Sequence, residues 1–150
     1  MSARRQAILR PPRGGAPYVG LISGIVIVVA AFLPWYATDI GPPFAAESVT
    51  GWEATNVARA SVFMGAVVAA ASAVAALDAR GGLRLGPSAG DGVAWAVLGA
   101  SVLAAILIGY RLFVLPEPAE FLSREIGVYL AAAGAVGGIL SGLALIATRD

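Results

Sequence analysis

The stretch YVGLISGIVIVVAAFLPWY, residues 18–36, decides the fold. It carries no charged residue and closes on Pro34, Trp35 and Tyr36. A bilayer's hydrocarbon core is about 30 Å thick and takes roughly 20 apolar residues of helix to cross. This stretch therefore reads as a membrane span. Three further stretches pass the same test: residues 58–77, 92–115 and 127–147. The sequence predicts one membrane domain over residues 1–150, an all-α four-helix bundle with short loops, preceded by a disordered basic tail over residues 1–16. Short loops favour up-and-down neighbours.

Composition agrees. Of 150 residues 59% are hydrophobic and 13% charged, and the mean hydropathy is +0.83. Soluble domains carry about 25% charged residues, so this chain has too little polar surface to cover itself in water. There is no Cys and no His, and all ten basic residues are Arg. That excludes disulfides, thiolate and zinc-thiolate chemistry, the commonest general base, a P-loop lysine and a Schiff base. No cofactor motif occurs, and the acids show no metal-ligand spacing. The N-terminal arginines are too few for a nucleic-acid arm and suit topology or anionic lipid instead.

Arg4, Arg5, Arg10 and Arg13 precede the first span, which invites a signal-peptide reading. The apolar run is long for a signal core, and no clear A-x-A site follows, so an uncleaved first span is expected. Those four, with Arg80, Arg84 and Arg149, fall on one side of the threading; Arg59, Arg111 and Arg124 fall on the other. Arg-rich loops stay in the cytoplasm, which puts both termini inside a cytoplasmic membrane. Trp35, Tyr36 and Trp52 near the outer ends, and Trp95 near an inner end, are expected to anchor at the headgroups, where amphipathic rings prefer to lie.

Packing signals are strong. Nine of the twenty residues from Ala58 to Leu77 are Ala, which suits a helix enclosed by its neighbours. Gly134, Gly138 and Gly142 share one helix face, as do Gly20 and Gly24. Small residues at four-residue spacing let backbones approach closely. The strings Gly20-Leu-Ile-Ser23-Gly24 and Gly138-Ile-Leu-Ser141-Gly142 match, and are expected to meet in an antiparallel contact of the first and fourth spans, or to serve homodimerisation. Neither serine is read as a nucleophile, because no His or Lys is present to activate it.

The outer loops carry the polar candidates. Thr50-Gly51-Trp52-Glu53 has the pattern of a capping box, so the second helix is expected to begin near Gly51, with Trp52, Asn56, Arg59 and Phe63 along one face. Pro116 and Pro118 stop the third span, and Phe121, Leu122 and Ile126 are expected to lay a short helical turn on the membrane. Inside, Ser88 to Asp91 is a candidate cap for the third span. Arg111 lies about four residues before the end of that span, roughly 6 Å below the boundary at 1.5 Å per residue. An ionisable residue there is a functional hypothesis by default. An outward anion site of Arg111, Arg59 and Asn56, bordered by Glu53 and Asp39, stands beside a plainer reading in which Arg111 snorkels or pins a loop.

Phe32-Leu33-Pro34-Trp35-Tyr36, Gly51-Trp52-Glu53-Ala54, Tyr110-Arg111-Leu112 before a Pro-rich loop, and a Gly-rich last helix ending in Arg149-Asp150 together resemble a group of small four-span membrane proteins of actinobacteria. The resemblance implies a place in the cytoplasmic membrane and brings no activity with it. Likeness to claudin-type tetraspans is one of topology only, since the loop cysteines and the Gly-Leu-Trp string are missing.

The function expected from these features is non-enzymatic. It is an accessory or scaffold protein packed through Gly/Ala helix faces against a membrane-protein partner or a second copy. The alternative is a small transporter or oligomeric channel with its anion site around Arg111. The spans hold few midplane polar residues beyond Ser61, Ser72, Ser101 and Ser141, which weighs against a solute path.

Overall fold

A computed structural model describes residues 14–38, 41, 45, 47–117 and 121–148. The elements run α1 (Ala16–Ala30), β1 (Pro34–Thr38), β2 (Glu47–Thr50), α2 (Gly51–Ala54), α3 (Asn56–Ala79), α4 (Pro87–Phe113), β3 (Leu122–Arg124) and α5 (Ile126–Ala147). Helices α3, α4 and α5 are long and apolar enough to cross a membrane, and α1 is a shorter apolar helix. The N-terminal tail over residues 1–13 lies outside the described residues.

Inward-facing residues explain how the three long helices and α1 pack. Along α3 the buried positions include Ala58, Ser61, Gly65, Val68, Ser72 and Ala75. Along α4 they include Gly90, Ala94, Val97, Ser101, Ala104 and Ile108. Alternating steps of three and four make the narrow seam of helices packed at about 20° to one another. Nearly every seam residue is small, so the backbones sit close. α1 packs on α3 and α5, and α4 packs on the same two, which closes a ring in which sequence neighbours touch. The outward stripe of α1, Val19, Ile22, Ile25 and Val29, is exposed and apolar, as a lipid-facing surface should be.

The chain is mostly helical, as the helical-bundle expectation has it, but it is not all-α: a three-stranded antiparallel sheet ordered β2-β1-β3 covers one end of the bundle. α1 stops at Ala30 rather than continuing to Tyr36. The physical reason is backbone hydrogen bonding, which must be satisfied locally where water is scarce. The Trp52 N–H donates to the Ala31 carbonyl at 2.8 Å and the Gly51 N–H to Leu33 at 3.3 Å. The chain leaving α1 is thus held by the returning loop, and Pro34 begins a strand. Within the helical turn expected over Phe121 to Ile126, Leu122–Arg124 form β3, paired through Tyr36↔Arg124, Ala37↔Ser123 and Thr38↔Leu122, and Ile126 opens α5.

Other boundaries move by a few residues. The capping box forms as the sequence suggests: Thr50 Oγ1 accepts from the Glu53 N–H, and the Glu53 carboxylate accepts from the Thr50 N–H. The helix it opens is only one turn long. Thr55 is extended and caps α3 afresh, its Oγ1 accepting from the Ala58 N–H at 3.1 Å. α3 ends where Gly81 takes a φ of +74°, and the Gly82 N–H closes back on the Leu77 carbonyl at 3.0 Å. Gly fits that left-handed position without a Cβ clash. α4 opens on Gly86 and Pro87, not on the Ser88–Asp91 pattern. Proline there has no N–H left unpaired and a φ already set for helix.

Candidate functional site at the sheet end

Trp35 and Tyr36 organise this end, and not as headgroup anchors: both are fully buried. A regular strand sends consecutive side chains to opposite faces. Here the pairing runs Pro34↔Thr50 and then Tyr36↔Val49, so Trp35 is an extra residue in a bulge. That irregularity turns both rings inward. The Trp35 indole Nε1 donates to the Ala30 carbonyl at 2.8 Å, which supplies a partner at the C-terminus of α1. The ring lies between two glycines. A Cβ on Gly51 would come within 2.5 Å of the indole, and one on Gly127 would meet Cδ1 and the Pro34 carbonyl at 2.6 Å. The pairing of Trp35 with Gly51 is therefore a lock between the end of α1 and the start of α2.

Tyr36 reaches the other side of the bundle, its hydroxyl donating to the Arg111 carbonyl at 3.3 Å. Burial pushes the phenol above its ordinary value, partly offset by the positive charges of Arg111 and Arg124. Arg124 is the residue that the sequence reading passed over. Its Nε donates to the Leu112 carbonyl at 2.6 Å, and a terminal nitrogen reaches the Phe113 carbonyl at 3.5 Å. It thereby caps the C-terminus of α4, where free carbonyls and the helix dipole both favour a cation. The signal for it was an arginine returning just after the Pro-rich stop of that span.

The proposed polar cluster divides. Arg59 and Asn56 do meet, through a guanidinium nitrogen 3.3 Å from Asn56 Oδ1. Arg59 Nε donates to the Trp52 carbonyl at 2.9 Å, and the guanidinium sits 5.7 Å from the Trp52 ring centre. Trp52 stacks on Phe32 with centroids 5.4 Å apart. This exposed Phe32–Trp52–Arg59 pile survives the helix break at Thr55. Glu53 is taken up in the capping box. Arg111 lies under Tyr110, 5.4 Å from its ring centre, and no contact brings it to Arg59 or Asn56 among the described residues. Asp39 lies outside the described residues. Trp95 is 62% exposed on the far half of α4, facing outward.

The glycine faces pack within the chain, and the expected antiparallel contact of α1 with α5 forms in part: Gly20 faces Ser141 of the matching string, whose Oγ donates to the Ala16 carbonyl at 2.6 Å. Gly24 lies against the α3 backbone at Gly65 and Ala69, and Gly20 against Ser72 and Ser141. Gly134 faces Ser23, Val26 and Ile27 of α1, while Gly138 and Gly142 face Ser101 and Leu98 of α4. Each string also serves a second neighbour, Gly20 and Gly24 on α3 and Gly138 and Gly142 on α4, because α5 touches α1 and α4 on adjoining sides of one helix.

Chemically the site offers cations, aromatic faces and one hydroxyl–carboxylate pair. That pair, Thr50 and Glu53, is engaged in capping. No group of three or more potential metal ligands occurs among the described residues. Compared with protein-family models, curated proteins and solved structures, the chain matches none.

Proposed function

We propose that this chain is a four-span protein of a cytoplasmic membrane, with both termini inside, that works as a non-enzymatic accessory subunit. In this reading the bundle is a rigid stem and the sheet end is the contact surface for a membrane-protein partner. The observation that carries it is the division of the surfaces. The glycine notches of α1, α3 and α5 are filled by neighbouring helices of the same chain, so helix–helix docking through them is already used. What is left to present is the sheet end, whose outer strands β2 and β3 have no further strand partner among the described residues, with the exposed Phe32–Trp52–Arg59 pile. Unpaired strand edges and exposed aromatics are common recognition features. The likeness to actinobacterial four-span proteins accords with that placement. The bundle interior weighs against transport by a single chain. Ile27, Val68, Val97 and Ile108 are fully buried along it and form a packed apolar core.

The test is site-specific photo-crosslinking in native membranes, followed by purification through a C-terminal tag. A crosslinker at Ser48 on β2 or Ser123 on β3 should capture one stoichiometric partner. The same group at Ile106, on the lipid-facing side of α4, should not. Capture of only the chain itself would replace the subunit reading with an oligomeric channel or transporter, to be pursued by flux in liposomes.

A further inference from the structure

Among the described residues, three guanidinium groups at the bundle ends have partners. Arg59 holds Trp52 and Asn56, Arg124 holds two carbonyls, and Arg80 lies 5.2 Å from the Tyr18 ring centre. Arg111 differs. Its Nε is buried and makes no hydrogen bond among the described residues. Its guanidinium sits against the Tyr110 ring, 5.4 Å from the ring centre. A buried cationic N–H without an acceptor is expensive. The dipole at the end of α4 favours the charge but supplies no acceptor for this N–H.

The surroundings define what acceptor fits. Arg111 sits two residues before the end of α4 and is half-buried. Its own carbonyl is tied to Tyr36, and the second guanidinium, Arg124, is fixed on the next two carbonyls. Two positive charges therefore share the corner between α4, β1 and β3. Tyr110 and Phe113 flank that corner and are exposed. Exposed aromatics at the end of an apolar helix mark headgroup depth. The anion abundant at that depth is phosphate, and the planar fork of arginine matches it with two parallel hydrogen bonds.

We propose that Arg111, with Arg124 beside it, binds a phosphate group at the corner of α4 and the β1–β3 sheet. This goes beyond the subunit reading and is independent of it, since partner capture at β2 or β3 does not require Arg111.

Native mass spectrometry of the purified full chain tests the site with three probes: phosphatidylglycerol, a diacylglycerol with the same tails, and inorganic phosphate. The chain should retain one phosphatidylglycerol and no diacylglycerol. Arg111→Gln should reduce retention by about tenfold or more, the value of a charge-assisted pair. Arg59→Gln should leave it unchanged. Arg111→Lys keeps the charge but loses the fork, and should reduce retention by a smaller factor. Displacement of the lipid by inorganic phosphate would assign the site to a water-soluble phosphate. Resistance to displacement would assign it to the headgroup. Equal retention of diacylglycerol overturns the proposal. So does unchanged phosphatidylglycerol retention in Arg111→Lys and Arg111→Gln, and the lysine variant decides alone should the glutamine variant fail to fold.

Discussion

Replacing Gly24 by Ala should loosen the bundle where α1 meets α3. The new Cβ would lie 2.6 Å from the Gly65 carbonyl oxygen and 2.8 Å from the Ala69 Cα. The Ala69 amide nitrogen is closer still, and ordinary contact begins at 3.4 Å, so the helices must part by more than 0.8 Å at this point. All three opposing atoms are backbone, and no side-chain rotation can relieve them. Overpacking of this kind costs about 1–3 kcal/mol, and the rigid partners place it toward the upper end. Ala in place of a mid-helix Gly returns about 1 kcal/mol. The net expectation is a loss of about 1–2 kcal/mol. Gly99→Ala is the matched control, because a Cβ there meets nothing within 4 Å; it should gain up to about 1 kcal/mol. Reversible unfolding in mixed micelles, titrated with dodecyl sulfate and followed by circular dichroism, reads both. If Gly24→Ala is as stable as Gly99→Ala, the close α1–α3 approach is wrong.

Three further expectations follow from the sheet end. Thr50→Ala removes the cap of α2 and should destabilise the protein by about 1 kcal/mol, with faster amide exchange over residues 51–54 as the local readout. Tyr36 favours its neutral form in the fold because burial outweighs Arg111 and Arg124. Its contribution to stability should be full below the ordinary tyrosine value of 10.0 and disappear as pH climbs through the raised folded value. The difference in absorbance at 295 nm between the wild type and Tyr36→Phe isolates this titration, and a midpoint at or below the ordinary value would contradict the burial. Finally, brominated lipids should quench Trp95 and Trp52 but spare Trp35; strong lipid quenching in a Trp52→Phe, Trp95→Phe double variant would remove Trp35 from its glycine seat.

The bundle was legible because hydropathy and small-residue spacing are local properties of each helix. The seam of α3, from Ala58 to Ala75, can be read straight from the chain. Which helix faces which notch is not local: Gly20 and Gly138 sit in matching strings and meet different partners. The sheet was hidden for another reason. Its strands are three to five residues long, shorter than any alternation needs to show itself, and β1 is continuous in sequence with an apolar helix. Trp35 misled for the same cause, since a tryptophan after a span has the signature of an anchor until a bulge turns it inward. At the site, the Arg59–Asn56 pair followed from helical spacing. Arg124 required knowing where α4 ends and where β3 returns.

The length of α1 has a consequence for the lipid around it. Its 15 residues give an apolar wall of about 22 Å, against about 36 Å and 33 Å for the 24 and 22 residues of its neighbours α3 and α5. If α1 crosses the bilayer as the proposed fourth span, acyl chains beside Val19, Ile22, Ile25 and Val29 must shorten to match it, and the membrane is pinched along one side of the protein. Elastic strain of this sort amounts to fractions of a kcal/mol per ångström, or a few kcal/mol over roughly 8 Å of shortfall against a 30 Å core. It is relieved when two pinched surfaces share one dimple. The thin side of this bundle should therefore drift toward thin regions of bilayer, and toward other proteins that thin it, before any side chain has touched a partner.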